Sequence, residues 1–451
     1  MNGTGPDARR AEQRAWGWYD WANSAYVTTT GTVLFTPYLT SVARQAACGP
    51  VTDGCDADLS VLGIAVAPGS LALYVVTLST VASALVLPLV GAIADRSGSK
   101  RRLMAGLAWT GAAAATAMCL VAGANWELGA LLLLVGNIAL GASLTVYDAI
   151  LCEIATPDER DPVSSRAWAF GYLGGGVLLA VNLALVLGHD SVGVSEQSAV
   201  RISLASAGLW WAGFTLVPYL GLRDRPPRHV VDRPGGAMRR SFGQLAATIR
   251  DARSYPLTLT FLLAYLFYND GIQTVIATSS LYGQEQLGFD TGVLVATILL
   301  VQFVAFAGAL VFGRIAARVG SRRTIMAGLV VWMGVVLTAF VLPEGELVPF
   351  LALAVAIGIV LGGTQALSRS FFSQLIPTGR EAEYFSLYQA GERGTSWLGT
   401  LVFGLVHQWT GSYRPSIAVL VVFFVVGLVL LRRVDPRRAI LEAGNVPPRV
   451  V

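Results

Sequence analysis

GAIADRSGSKRR, residues 91–102, returns 222 residues later as GRIAARVGSRR, residues 313–323. Both copies follow the pattern G-x-x-x-[D/A]-R-x-G-S-[K/R]-R, and each joins two apolar stretches through a short basic loop. A second match lies 220 residues apart, EIATPDER around Pro157 against QLIPTGRE around Pro377. A third pairs Tyr19-Asp20, Asn23 and Ser24 with Tyr268-Asn269-Asp270, Gln273 and Thr274: a carboxylate, an amide at i+3 and a hydroxyl at i+4. Its offset of 250 residues exceeds the first by 28, the extra length of a polar loop that contains Cys48 and Cys55. Three matches in the same order make the chain two parallel repeats.

The rest of the chain is what such repeats require in a bilayer. Of 451 residues, 54% are hydrophobic and 13% charged, and the mean hydropathy is +0.60. Soluble domains carry about 25% charged residues, so the composition is that of a membrane protein. Stretches of the roughly 20 apolar residues that a span needs lie near 17–40, 71–94, 103–123, 128–152, 166–188, 201–222, 257–283, 291–313, 323–343, 347–374, 384–407 and 414–432. Loops and tails on the side of the N-terminus hold 27 Arg and Lys, the opposite side holds 3, and Arg369 and Arg393 fall within spans. By the positive-inside rule both termini face the cytoplasm. The expected fold is therefore all-α, a multi-pass protein of the inner (plasma) membrane with twelve transmembrane helices in two pseudo-symmetric six-helix bundles.

The expected divisions are a cytoplasmic tail (1–16), a first bundle (17–222), a cytoplasmic linker (223–256), a second bundle (257–432) and a cytoplasmic tail (433–451). The linker begins RDRPPRHVVDRPGG, too rich in Pro and Gly to span, and continues as MRRSFGQLAATIRDARSY, which reads as an amphipathic helix along the inner membrane surface. Cys119 and Cys152 lie in apolar segments as packing residues, whereas Cys48 and Cys55 share a loop outside the cell, where a disulfide can persist. A net charge of +4 does not call for nucleic acid. No P-loop, metal-ligand cluster or nucleophilic triad is evident, which argues against an ATP-driven pump or a membrane enzyme.

Polar groups inside apolar segments carry the functional reading, because a charge in the bilayer costs about 2.5–3.5 kcal/mol on insertion scales and usually faces a protein interior or a watery cavity. Span one holds Asp20 and Asn23, span four Tyr147 and Asp148, span seven Asp270 and Gln273, and span ten Gln365 and Arg369 at i and i+4. Spans one and four run in opposite directions, which places Asp20 and Asp148 near the cytoplasmic side and leaves Asp270 nearer mid-membrane. Asp270 and Asp20 are the proton-coupling candidates, since burial disfavours their charged form. Arg369 is expected to pair with Asp148 or to bind a substrate carboxylate. A purely structural salt-bridge set at the inner gate is the competing reading. In span eleven Glu392 and Arg393 point about 100° apart and are expected to pair with neighbouring helices. The repeated loop supplies a gate motif: Gly91, Asp95, Arg96, Gly98, Lys100 and Arg101 in the first copy, Gly313, Arg318 and Gly320 in the second. Ala317 stands where Asp95 does, so any latch is asymmetric.

GAIADRSGSKRR resembles the signature loop of the major facilitator superfamily, with Ser99 at a position usually basic. WYDWANSAY (18–26), YNDGIQTV (268–275) and GGTQALSRSFFSQLIP (362–377) running into REAEYFSLY (380–388) more narrowly resemble the yeast vacuolar amino-acid effluxers and their bacterial relatives. The resemblance implies alternating access around a cavity lined by helices 1, 4, 7 and 10, and efflux of amino acids. The expected activity is secondary transport of a small polar solute, with a proton-coupled drug or metabolite exporter and a non-transporting membrane sensor as alternatives. The expected partners are membrane lipid and a small-molecule substrate; no cofactor is called for beyond a proton or other ion gradient, and the chain is read as a monomer.

Overall fold

The computed structural model describes residues 5–49, 57–61, 63–227, 250, 253–394 and 396–451. The chain opens with α1 (Pro6–Ala25), started by a proline whose missing N–H costs nothing at that position. The helix continues through a π-helical stretch, Tyr26–Leu34, into α2 (Phe35–Cys48). The wider turn is visible where the Thr32 hydroxyl donates to the carbonyl of Val27, five residues back, at 3.0 Å. A short antiparallel hairpin, β1 (Leu59–Val61) with β2 (Ile64–Val66), follows in the polar loop. The first repeat then runs through α3 (Pro68–Arg96), α4 (Lys100–Ala117), α5 (Trp126–Ile154), α6 (Arg160–Leu187) and α7 (Glu196–Gly221).

The second repeat comprises α8 (Pro256–Glu285), α9 (Thr291–Val319), α10 (Ser321–Val341), α11 (Leu347–Leu375), α12 (Glu381–Gly394), α13 (Ser396–Thr410), α14 (Tyr413–Ala418) and α15 (Val421–Arg433), followed by α16 (Pro436–Glu442). Among the described residues nine helical runs are long and apolar enough to cross a membrane. The remaining stretches expected to span, near 17–40, 257–283 and 384–407, are helical but carry Asp20, Asp270 and the Glu392-Arg393 pair. In the first two, low hydropathy is the cost of polar groups held inside the molecule; the third is described as two helices of 14 and 15 residues.

Within the first half α1 packs on α6 and α7, and α4 on α5 and α7; within the second, α8 packs on α15 and α10 on α11. The halves meet through α6, which lies against α9 and α11, and through α12, which lies against α3 and α5. The repeats map α6 onto α12, α9 onto α3 and α11 onto α5, so the two contacts are one contact made twice about a pseudo-two-fold axis. Among the described residues, the hydrogen bonds and ion pairs between the halves gather at the end that carries the basic loops, and none is seen at the other.

Two segments read as tails belong to the folded body. Residues 6–16 are helical, and Glu12 is buried, accepting from Arg225 Nη2 at 2.8 Å and from the Arg223 main-chain N–H at 3.0 Å. A buried carboxylate needs such partners, and the end of the first half supplies them. Beyond α16, Asn445 donates to the carbonyls of Gln374 and Ile376 at 2.9 and 2.7 Å, and the Arg449 N–H donates to Asp158 at 2.7 Å. The C-terminal segment thus touches both halves at their joined end. The amphipathic helix expected after residue 237 lies mostly outside the described residues. Cys48 is disulfide-bonded; Cys55, its expected partner, is outside the described residues, and Cys119 and Cys152 are free.

Candidate functional site

Asp148 and Arg369 each lie six residues before the end of their helix, α5 and α11. Repeat-equivalent helices therefore bring opposite charges to the same depth on the two sides of the interface. Arg369, 2% exposed, donates through Nη2 to Asp20 Oδ2 at 2.9 Å, through Nη1 to Asp148 Oδ1 at 3.4 Å, and through Nε to Ser164 Oγ at 3.0 Å. The guanidinium also lies 4.9, 5.3 and 5.4 Å from the ring centres of Trp16, Tyr147 and Trp168. Trp16 is fixed in turn: it stacks on Tyr147 at 4.3 Å and its indole N–H donates to the Tyr147 carbonyl at 2.9 Å. One planar cation of the second half is thus boxed by aromatic faces and held by two acids of the first. Arginine suits this place because its fork can serve several acceptors at once.

The other oxygen of Asp148, Oδ2, accepts from Gln389 of α12 at 2.9 Å. Nearer the loops, Asp95 reaches across to the start of α12, where its two oxygens accept from the main-chain N–H groups of Ala382 and Glu383, both at 2.9 Å. A carboxylate there satisfies two of the orphan donors of a helix N-terminus and complements its dipole. Lys100 holds Asp95 at 3.3 Å and Glu153 at 2.8 Å. At the pseudo-symmetric position Ala317 offers no carboxylate, and the first half supplies one instead: Asp161 accepts from Ser321 and from Ser370 at 2.5 and 2.6 Å. At this second contact the acid therefore lies on the partner helix.

The two motif glycines sit where the halves touch. A β-carbon on Gly91 would stand 2.5 Å from the carbonyl oxygen of Ala382, and one on Gly313 would stand 2.6 Å from the Ser165 side chain. Gly320 ends α9 at φ +92°, a conformation that suits glycine. Gly98, Arg96 and Arg318 are exposed. Arg101 does not join the halves; it binds the carbonyls of Tyr219 and Leu222 and pairs with Asp224 at 3.0 Å, all within the first half.

Four of the eight intramembrane candidates do not join this cluster. Asp270 is 1% exposed and turned toward α13, where Oδ2 accepts from the Gly399 N–H at 2.8 Å, while Oδ1 has no hydrogen-bond partner among the described residues. Its neighbours face α11 instead: Tyr268 shares a hydrogen bond with Ser368 at 2.6 Å, and Gln365 donates to Asn269 at 3.5 Å. Gln273 is half-buried. Asn23 donates to the Tyr19 carbonyl of its own helix at 2.6 Å. Residues that sequence reasoning passed over are Trp16, Ser164, Trp168 and Gln389. Ser164 and Trp168 carry no charge and follow no repeat, so nothing marked them.

A family model described as vacuole effluxer Atg22 like matches residues 8–444. The chain belongs to that family. A Bacillus subtilis (strain 168) protein described as an uncharacterized MFS-type transporter, YxiO, is 29% identical over 93% of this chain and 94% of its own length. Autophagy-related protein 22-1 of Penicillium rubens is 26% identical over 87% of this chain and 80% of its own. Among solved structures, the E. coli fucose:proton symporter FucP superposes with a TM-score of 0.68 at 13% identity over 95% of this chain and 99% of that one. The proton:xylose symporter XylE superposes with 0.69 at 12% identity over 97% and 98%. The Atg22-like chain therefore has the major facilitator fold and is a transporter of that type.

In this family member, Asp95→Asn is expected to weaken closure. It leaves one neutral acceptor where two charge-assisted bonds, worth about 1.5–3 kcal/mol each, were made, sets an amide N–H against the second main-chain donor, and leaves Lys100 with Glu153 alone. Cys152 is the built-in reporter, free, buried and 3.7 Å from the Ser373 carbonyl across the interface. In a Cys119→Ala background its alkylation should speed at least several-fold in Asp95→Asn; an unchanged rate would remove Asp95 from the latch.

Proposed function

We propose that this transporter moves amino acids across the cell membrane by alternating access, with the arginine-rich end and both termini in the cytoplasm and the described state closed on that side. What carries the reading is the bonding of Arg369 to Asp20 and Asp148: the halves are held by hydrogen bonds and ion pairs that can form and break as a unit. A rocking motion about the pseudo-two-fold axis separates those partners at one end and brings the halves together at the other. The amino-acid class rests on the resemblance of the span motifs to vacuolar amino-acid effluxers, and the matching family model, described as a vacuole effluxer, supports it.

The unpaired carboxylate oxygen of Asp270 supports coupling to a proton gradient at this residue. Burying an unpaired carboxylate oxygen costs a few kcal/mol, a cost that a bound proton removes, and Oδ1 of Asp270 is such an oxygen. The test uses proteoliposomes of the purified protein, loaded with labelled amino acids under an inward or outward pH gradient. Flux of one or a few amino acids is expected to follow the gradient, and Asp270→Asn should lose the acceleration while keeping downhill exchange. If no amino acid moves in either direction, the substrate reading fails; if Asp270→Asn responds to the gradient as the wild type does, the coupling site lies elsewhere.

A further inference from the structure

Arg369 and Arg393 both lie within stretches expected to span, and their surroundings differ. Arg369 is saturated by Asp20, Asp148 and Ser164. Arg393, near the end of α12, makes no ion pair or hydrogen bond among the described residues, and its Nε is buried without a partner. The side chain as a whole is only half-buried, so water-sized molecules reach it. Its sequence neighbour Glu392 is turned to the second half, where it accepts from the Tyr265 hydroxyl at 2.9 Å.

Arg393 instead reaches toward the first half, and α5 makes room for it. A β-carbon on Gly141 would stand 3.1 Å from Arg393 Nε. Five residues earlier Gly136 leaves the same kind of space for Tyr26, whose hydroxyl donates to Asn137 Oδ1 at 3.1 Å. Gly141 precedes Asp148 by seven residues, about 10 Å along the helix, on the side away from the closed gate. An unsatisfied guanidinium thus stands between the halves, above the Arg369 plug and on the unjoined side of the molecule. Leaving such a cation without an acceptor is unfavourable, and a carboxylate is the partner its fork fits best.

We propose that Arg393 receives the carboxylate of the transported solute in the space bounded by Gly141 and Tyr26, so that the substrate class is a small organic acid, amino acids included. This deepens the transport reading and rests on it. Gln389, one turn before Arg393 on the same face of α12, holds Asp148, so the helix that binds the solute also touches the gate.

The test measures binding to the purified full chain by thermal stabilisation. The probes are the amino acids, their primary amides and the matching acids that lack the amino group. Wild type should bind at least one acid ten-fold or more tighter than its amide. Arg393→Ala should lose that discrimination and bind the acid at least ten-fold more weakly, with Arg393→Lys intermediate. Gly141→Ala keeps the arginine but crowds it, and should weaken acid binding if Arg393→Ala does not yield monodisperse protein. Discrimination retained in Arg393→Ala, amides binding wild type as well as acids, or no acid binding at all would each overturn the proposal. The two readings fail separately. Acids without an amino group binding through Arg393 while no amino acid is moved would remove the amino-acid substrate and keep this site. Amino-acid flux with full discrimination in Arg393→Ala would do the reverse.

Discussion

Arg369→Ala is expected to abolish flux and to lower the stability of the purified protein by about 3–5 kcal/mol, the range seen when one member of a buried ion set is removed. The side chain is 2% exposed, and its loss leaves Asp20 and Asp148 buried without their cation while the aromatic box of Trp16, Tyr147 and Trp168 has nothing to enclose. The sign of the effect can be separated from mere misfolding. Buried ion sets replaced as a whole are often neutral for stability, so Asp20→Asn, Asp148→Asn and Arg369→Gln combined should recover much of the lost midpoint in a denaturation scan. Flux should stay absent in that triple variant, because the halves no longer carry charges that recognise each other. Wild-type flux with an unchanged midpoint in Arg369→Ala would show that the cluster neither closes the gate nor supports the fold.

Gly91→Ala should be nearly as damaging to transport while sparing the fold. Inside a helix the added methyl favours helicity by about 1 kcal/mol in every state. Only the closed state pays for it, because the new β-carbon meets the Ala382 carbonyl at 2.5 Å and the Glu383 Cα at 3.1 Å, backbone atoms that cannot swing aside. Overpacking of this kind costs about 1–3 kcal/mol, which shifts the population of the closed state by roughly five- to 150-fold. Faster alkylation of Cys152, with flux close to zero and normal thermal stability, is the expected combination. Gly313→Ala should act in the same direction with a smaller effect, since it meets a serine side chain and no backbone atom closer than 4.0 Å. Should Cys152 remain as protected as in wild type and flux persist, the motif glycines would have no part in closure.

The fold was legible because it is written twice. The repeated loops, the matched ends at Pro157 and Pro377 and the arginine bias each follow from constraints that act along the chain. The meeting of Arg369 with Asp20 and Asp148 was half legible: intramembrane charges need partners, and the sequence reading offered Asp148 or a substrate carboxylate for Arg369 while it gave Asp20 to proton coupling. Asp270 illustrates what periodicity cannot supply. It repeats the pattern of Asp20, yet it turns to Gly399 and leaves the central cluster, because the rotation of α8 is set by packing against α13 and α15. The folded residues 6–16 were read as a tail because their charges are plentiful; burial of Glu12 beneath Arg225 depends on a contact more than 200 residues away in sequence. Arg393 was visible as an anomaly, and its lack of an ion pair or hydrogen bond among the described residues became evident only in three dimensions.

The helix α12 spans 14 residues, a rod of about 21 Å. Asp95 grips its first turn and Gln389 ties its middle to Asp148. A stiff rod cannot let go of one of these while keeping strained hold of the other, so the two fastenings share a single release threshold. Two independent locks would open in sequence and leave a half-sealed passage between times, through which ions could slip down their gradient uncoupled to cargo. Tying both to one beam lets a single displacement of α12 part both fastenings.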